Sequence, residues 1–142
     1  MSKPPFTTLG LDHVVLRVRD LAKSLAFYTG VLDGAVERSS DALGLYQIRL
    51  GRSLVDLVPV DGPLGKLGGA AAGAQARNVD HFCVRIEPFD AAELGTHLAA
   101  HGVETLGEPA PRYGADGTGP SLYVKDPDGN TVELKGPPEG RS

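Results

Sequence analysis

The stretch Leu11-Asp12-His13-Val14-Val15-Leu16-Arg17-Val18 returns 68 residues later as Val79-Asp80-His81-Phe82-Cys83-Val84-Arg85-Ile86, with Asp, His and Arg in register. Alternate residues of an extended chain face opposite ways, so His13, Val15 and Arg17 share one side while Val14, Leu16 and Val18 take the other. The apolar side calls for a core. The other side carries the histidine. Two copies related by a pseudo-twofold axis would set His13 and His81 across a shared cavity.

Outward from the first copy, Asp20 suits a helix N-cap, and Leu21, Leu25, Tyr28 and Leu32 recur at helical spacing until Gly34. Residues 43–50 and 52–60 read as strands, with a short extra strand near 35–39. Residues 61–78, rich in Gly and Ala and without period, form a linker. The second copy repeats the order: a strand from Val79, Asp90 and Glu93 spaced as a capping box, a helix over Leu94 and Leu98, and Gly102 as its stop. Residues 107–120 carry enough Gly and Pro to read as a mobile loop, with 114–119 as a substrate lid. Residues 121–125 and 131–135 read as a hairpin around Asp126-Pro127-Asp128-Gly129-Asn130. The organisation is a single domain over 1–142: module one about 9–60, linker 61–78, module two about 79–136.

At 142 residues the chain can bury roughly 70% of its unfolded surface. Its one cysteine, Cys83, excludes an intramolecular disulfide, and Met1–Leu11 lacks the basic start and apolar run of a signal peptide. A cytoplasmic location is expected. No apolar run approaches the roughly 20 residues that span a bilayer. A net charge of −4 without a basic cluster argues against nucleic acid and for a small-molecule partner.

Alternation also places the carboxylates. Glu133 lies opposite Val132 and Leu134, and Asp56 opposite Val55 and Leu57. His13, Asp56, His81 and Glu133 thus occupy non-core faces, two from each module. Each alone is an ordinary structural or solvated residue; together they suit one divalent ion of Fe, Mn, Ni, Co or Zn, with positions left for water or substrate. Glu133 and Asp56 are the candidate proton carriers. Tyr123, beside Glu133, could hydrogen-bond a bound oxyanion. Arg17 and Arg85 share the histidine faces and would pair with a substrate anion or form internal salt bridges. Cys83 reads as a small buried filler, and His101 as a partner for a helix C-terminus.

The segment Leu11 to Leu32, with Val79-Asp80-His81-Phe82 and the run Asp126 to Leu134, resembles the vicinal oxygen chelate superfamily, which includes glyoxalases, bleomycin resistance proteins and extradiol dioxygenases. The resemblance implies an α+β fold of two βαβββ modules, a cupped and partly closed mixed sheet with helices outside, and a homodimer. It implies His13, His81 and Glu133 as metal ligands. Glyoxalase I carries a glutamate where Asp56 stands, so a fourth ligand stays open. Nine residues follow Glu133, fewer than fosfomycin-modifying members carry, and the extra acid-base histidine of extradiol dioxygenases has no counterpart besides His97 and His101 on a helix. The resulting expectation is a metal-dependent isomerase or lyase acting on a substrate with adjacent oxygens. A dioxygenase, or a non-catalytic binding or antibiotic-resistance protein, is the alternative.

Overall fold

The computed structural model describes residues 4–139, so Met1 to Lys3 of the leader reading lie outside the described residues. Each half runs strand, helix, three strands. The first holds β1 (His13–Val18), α1 (Leu21–Ala26), β2 (Ala35–Ser40), β3 (Leu45–Leu50) and β4 (Ser53–Pro59). The second holds β5 (Phe82–Arg85), α2 (Ala91–Ala100), β6 (Thr105–Gly114), β7 (Gly117–Lys125) and β8 (Thr131–Lys135). Their strand orders match, β1-β4-β3-β2 and β5-β8-β7-β6, with the first pair of each parallel and the rest antiparallel. The result is two open four-stranded mixed sheets.

The capping residues act as their spacing predicts: Asp20 accepts from the Lys23 N–H and Asp90 from the Glu93 N–H, each at 3.0 Å. Beyond Ala26 the first helix widens into a π turn, Phe27–Val31, which carries the buried Phe27 and Tyr28. Leu16, Val18, Val55 and Leu57 of the first sheet join Leu122, Val124, Val132 and Leu134 of the second, with Phe27, Tyr28 and Leu98, in one buried cluster. Both sheets therefore turn their apolar faces toward one core. Fully burying each such Leu or Val contributes about 1.5–3 kcal/mol.

The seam between halves is polar at its rim. The Tyr28 hydroxyl donates to Asp126 at 2.7 Å, and its ring stacks on Phe82 at 6.5 Å. His97 Nε2 meets the Val31 carbonyl at 2.9 Å. Asp128 takes the Arg19 N–H at 2.9 Å and the Ser24 hydroxyl at 3.3 Å. Residues of the Asp-Pro-Asp-Gly turn thus clasp the first module.

Two expectations change. Residues 107–120 are not a loop: they belong to the long β6–β7 hairpin, with Gly114 paired to Gly117 at its tip. Its prolines are tolerated because β6 is an edge strand, where Pro109 and Pro111 forfeit no ladder bond with a further strand, and Pro111 faces Pro120. The stretch 61–78, which lies between β4 and β5, is pinned. It contains a 3₁₀ turn at Gly65–Gly68, and Arg17 donates to the carbonyls of Gly65, Gly69 and Ala70. Gly65 is required there, since a Cβ would lie 1.7 Å from the Pro59 oxygen.

Candidate metal centre

The strand register gathers the predicted residues into two pairs. In the first sheet Asp56 lies opposite Val15 on β1 and Gln47 on β3, which puts all three on the non-core face with His13. His13 Nε2 is 4.0 Å from Asp56 Oδ2, and Gln47 Nε2 donates to that same oxygen at 3.2 Å. Asp56 Oδ1 is buried without a hydrogen-bond partner among the described residues. In the second sheet Glu133 lies between Cys83 and Tyr123. His81 Nε2 is 3.4 Å from Glu133 Oε1, while the Ser121 hydroxyl donates to Oε2 at 2.7 Å.

Both histidines are oriented from behind by the aspartate before them. His13 Nδ1 is 2.8 Å from Asp12 and His81 Nδ1 is 2.7 Å from Asp80. An ionised carboxylate only accepts, so each neutral imidazole keeps its proton on Nδ1 and turns an Nε2 lone pair toward a carboxylate. The hydrogen bond to His81 holds Asp80 below the usual carboxylate range. Two facing acceptors need a cation or proton between them. The side chains of Asp56 and Glu133 are 4% and 9% exposed, against 44% and 38% for the imidazoles. Sunken carboxylates beneath half-open imidazoles offer the N and O donors that a divalent ion takes.

One chain does not bring the pairs together. No group of three or more His, Cys, Asp or Glu side chains among the described residues could hold a metal. The reason is the shared core: with the apolar faces turned toward each other, the histidine faces turn away. Among the described residues, the four side chains that the repeat suggested for a common cavity therefore do not meet within a single chain.

The remaining candidates divide. The Arg17 guanidinium is spent on the three linker carbonyls. Arg85 is spent on Asp116 and Glu87, at 2.8 and 2.9 Å, the internal pairing that was the alternative to substrate binding. Tyr123 stays at the pair, its ring edge-on to His81 at 5.6 Å; burial, then the Glu133 charge, raises its phenol above 10.0. Cys83 is exposed rather than a buried filler, and partial desolvation, then the Glu133 charge, pushes its thiol up to about 11. His101 Nδ1 meets the His97 carbonyl at the end of α2, as a C-terminal partner should. Sequence reasoning missed Gln47 and Ser121, the donors that occupy one oxygen of each carboxylate, and Arg112, which stands over the Tyr123 ring. Gln47 could have been found by alternation along β3; Arg112 was hidden by the loop reading. Two clefts of about 530 and 420 Å³ open along the seam and contain none of the predicted site residues.

Paired βαβββ modules with one imidazole–carboxylate pair apiece define a duplicated scaffold. The model of the Glyoxalase/Bleomycin resistance protein/Dioxygenase superfamily matches residues 10–134, and the chain belongs to that superfamily. It is 30% identical over 128 residues to the glyoxalase domain-containing protein RDO1 of Mycosarcoma maydis, covering 87% of this chain and 66% of that one. It is 27% identical over 131 residues to human mitochondrial methylmalonyl-CoA epimerase, covering 88% and 72%. Among solved structures, an integron cassette protein of V. cholerae superposes with a TM-score of 0.71 at 26% identity, covering 92% and 97%. The fosfomycin resistance protein FosX of Listeria monocytogenes does so at 0.67 and 24%, covering 91% of each, a likeness of fold alone.

Proposed function

We propose that the protein is a divalent-metal-dependent isomerase or lyase for a small substrate with adjacent oxygens, and that its site forms between two copies of the chain. The observation that carries this reading is the tethering of each histidine: Asp12 and Asp80 hold Nδ1, leaving Nε2 aimed at a sunken carboxylate. His13 and Asp56 of one copy would join His81 and Glu133 of the other. β1 and β5, which carry or adjoin the histidines, are both edge strands open to pairing, and Leu9 and Leu11 ahead of β1 and Val15 on it stand exposed.

A metal held there supplies Lewis-acid polarisation of a substrate oxygen. His81 and Glu133 Oε1 would hold it from one side and His13 from the other. Asp56 Oδ1, unpartnered and buried, is the base best placed to take a proton from the carbon beside that oxygen, while Gln47 steadies its other oxygen. Tyr123 can donate to the resulting oxyanion. One relative is an epimerase by name, which favours isomerisation. Dioxygenation has less support, because His97 and His101 are committed to the seam and the α2 terminus.

Elemental mass spectrometry of the purified chain, beside His81→Ala and Glu133→Gln variants checked for folding, tests the reading. About one transition metal per chain is expected, lost in both variants. A metal-free chain that refuses added ions, yet still captures aromatic ligands, would favour the non-catalytic binding alternative.

A further inference from the structure

Arg112 belongs to none of the pairs the repeat suggested. The β6–β7 register sets Ala110 against Ser121 and Arg112 against Gly119, so Arg112 shares the face of Ser121, Tyr123 and Glu133. Its guanidinium carbon lies 5.5 Å from the Tyr123 ring centroid, and that ring meets His81 edge-on. The stack holds a planar cation beside the imidazole–carboxylate pair. Among the described residues this guanidinium has no carboxylate within salt-bridge distance and donates no hydrogen bond, whereas Arg17 and Arg85 are both consumed. A second charge lies beneath it. Lys135, 3% exposed, donates to the carbonyls of Arg112 and Gly119 and meets no carboxylate. Glu133 is the carboxylate on this face, set against the two cations Arg112 and Lys135, so this corner of the sheet carries surplus positive charge. Arg112 is itself exposed, and the aromatic seat and the buried lysine are what set it apart from the other surface cations.

We propose that Arg112, seated on Tyr123, selects the substrate by binding a carboxylate or phosphonate group on the molecule whose adjacent oxygens sit at the His81–Glu133 pair. This rests on the metal-dependent reading above and narrows the substrate to a small anion. A guanidinium fork suits such planar or tetrahedral oxyanions, and it would fix which oxygens reach the metal side.

The test uses the full chain reconstituted with Zn(II) and three catechols differing in one group: 3,4-dihydroxybenzoate, 3,4-dihydroxyphenylphosphonate and the neutral 3,4-dihydroxybenzamide. Titration calorimetry on wild type is expected to show one or both anions binding roughly tenfold or more tightly than the amide, the difference between the anions identifying the group preferred. Arg112→Ala should erase that preference while leaving the Zn(II) content, the melting temperature and the amide affinity unchanged. Arg112→Lys should keep part of it, retaining charge without the fork. With Zn(II) held, equal binding of acid and amide by wild type, a preference that survives Arg112→Ala, or no binding of any catechol overturns the assignment alone. A wild type that holds no Zn(II) overturns the metal-dependent reading and this one with it.

Discussion

Asp80 is a surface residue whose carboxylate accepts from His81 Nδ1 at 2.7 Å, so its effect on the site is entirely through the ring it orients. Removing such a tether costs roughly 10–100-fold in metal affinity, and Asp80→Asn is expected to fall in that range by calorimetry with unchanged folding. A loss as large as that of His81→Ala would instead make Asp80 a ligand. Ser121 has a complementary part: by filling Glu133 Oε2 it leaves Oε1 alone to face the imidazole. Residues of this kind explain where sequence reading stopped. His13, His81, Asp56 and Glu133 could be placed by alternation because each sits on or at the start of a short apolar strand. Ser121 and Arg112 matter only through cross-strand register, which depends on how a Gly- and Pro-rich hairpin is paired.

The elements of the seam were partly legible too. The Asp126 to Asn130 turn was recognisable, but its work was not: Asp126 accepts from Asp128, Asn130 and Tyr28, which makes the motif a clasp between modules as well as a turn. Replacing Tyr28 by Phe removes one donor from a buried carboxylate and should cost about 1–2 kcal/mol in denaturant unfolding. Its pH dependence has a definite sign. Burial, then the Asp126 charge, raises the Tyr28 phenol well above 10.0, so the folded state keeps a proton that the unfolded chain loses. That contribution is present below pH 10.0 and declines as pH rises toward the folded-state value. The gap between wild type and Tyr28→Phe should therefore narrow between about pH 9 and 11; a constant gap would mean that the hydroxyl is not sequestered. The caps at Asp20 and Asp90 were readable because capping is local, whereas the helical spacing of 21–32 gave no sign of the π turn after Ala26.

For the whole molecule, the repeat correctly indicates two similar halves but not their mutual orientation, because either side of an amphipathic sheet could be read as the lining of a shared cavity. The common core settles that orientation within a chain. A twofold pair of chains would then contain two identical sites, each drawing on both. His13→Ala and Glu133→Gln, each without bound metal alone, should recover it when co-expressed, since mixed pairs rebuild one intact site from the unmutated halves. Native mass spectrometry is expected to find metal only in the mixed pair. Recovery absent from mixed pairs that do form would show that the halves never cooperate across chains.

The back-to-back core also bears on how the protein responds to dilution. Were the ligands divided between chains as proposed, metal affinity would depend on protein concentration: thinning the protein would empty the site, and supplying the ion would tighten the pair by the same free energy. Assembly would then report on metal supply.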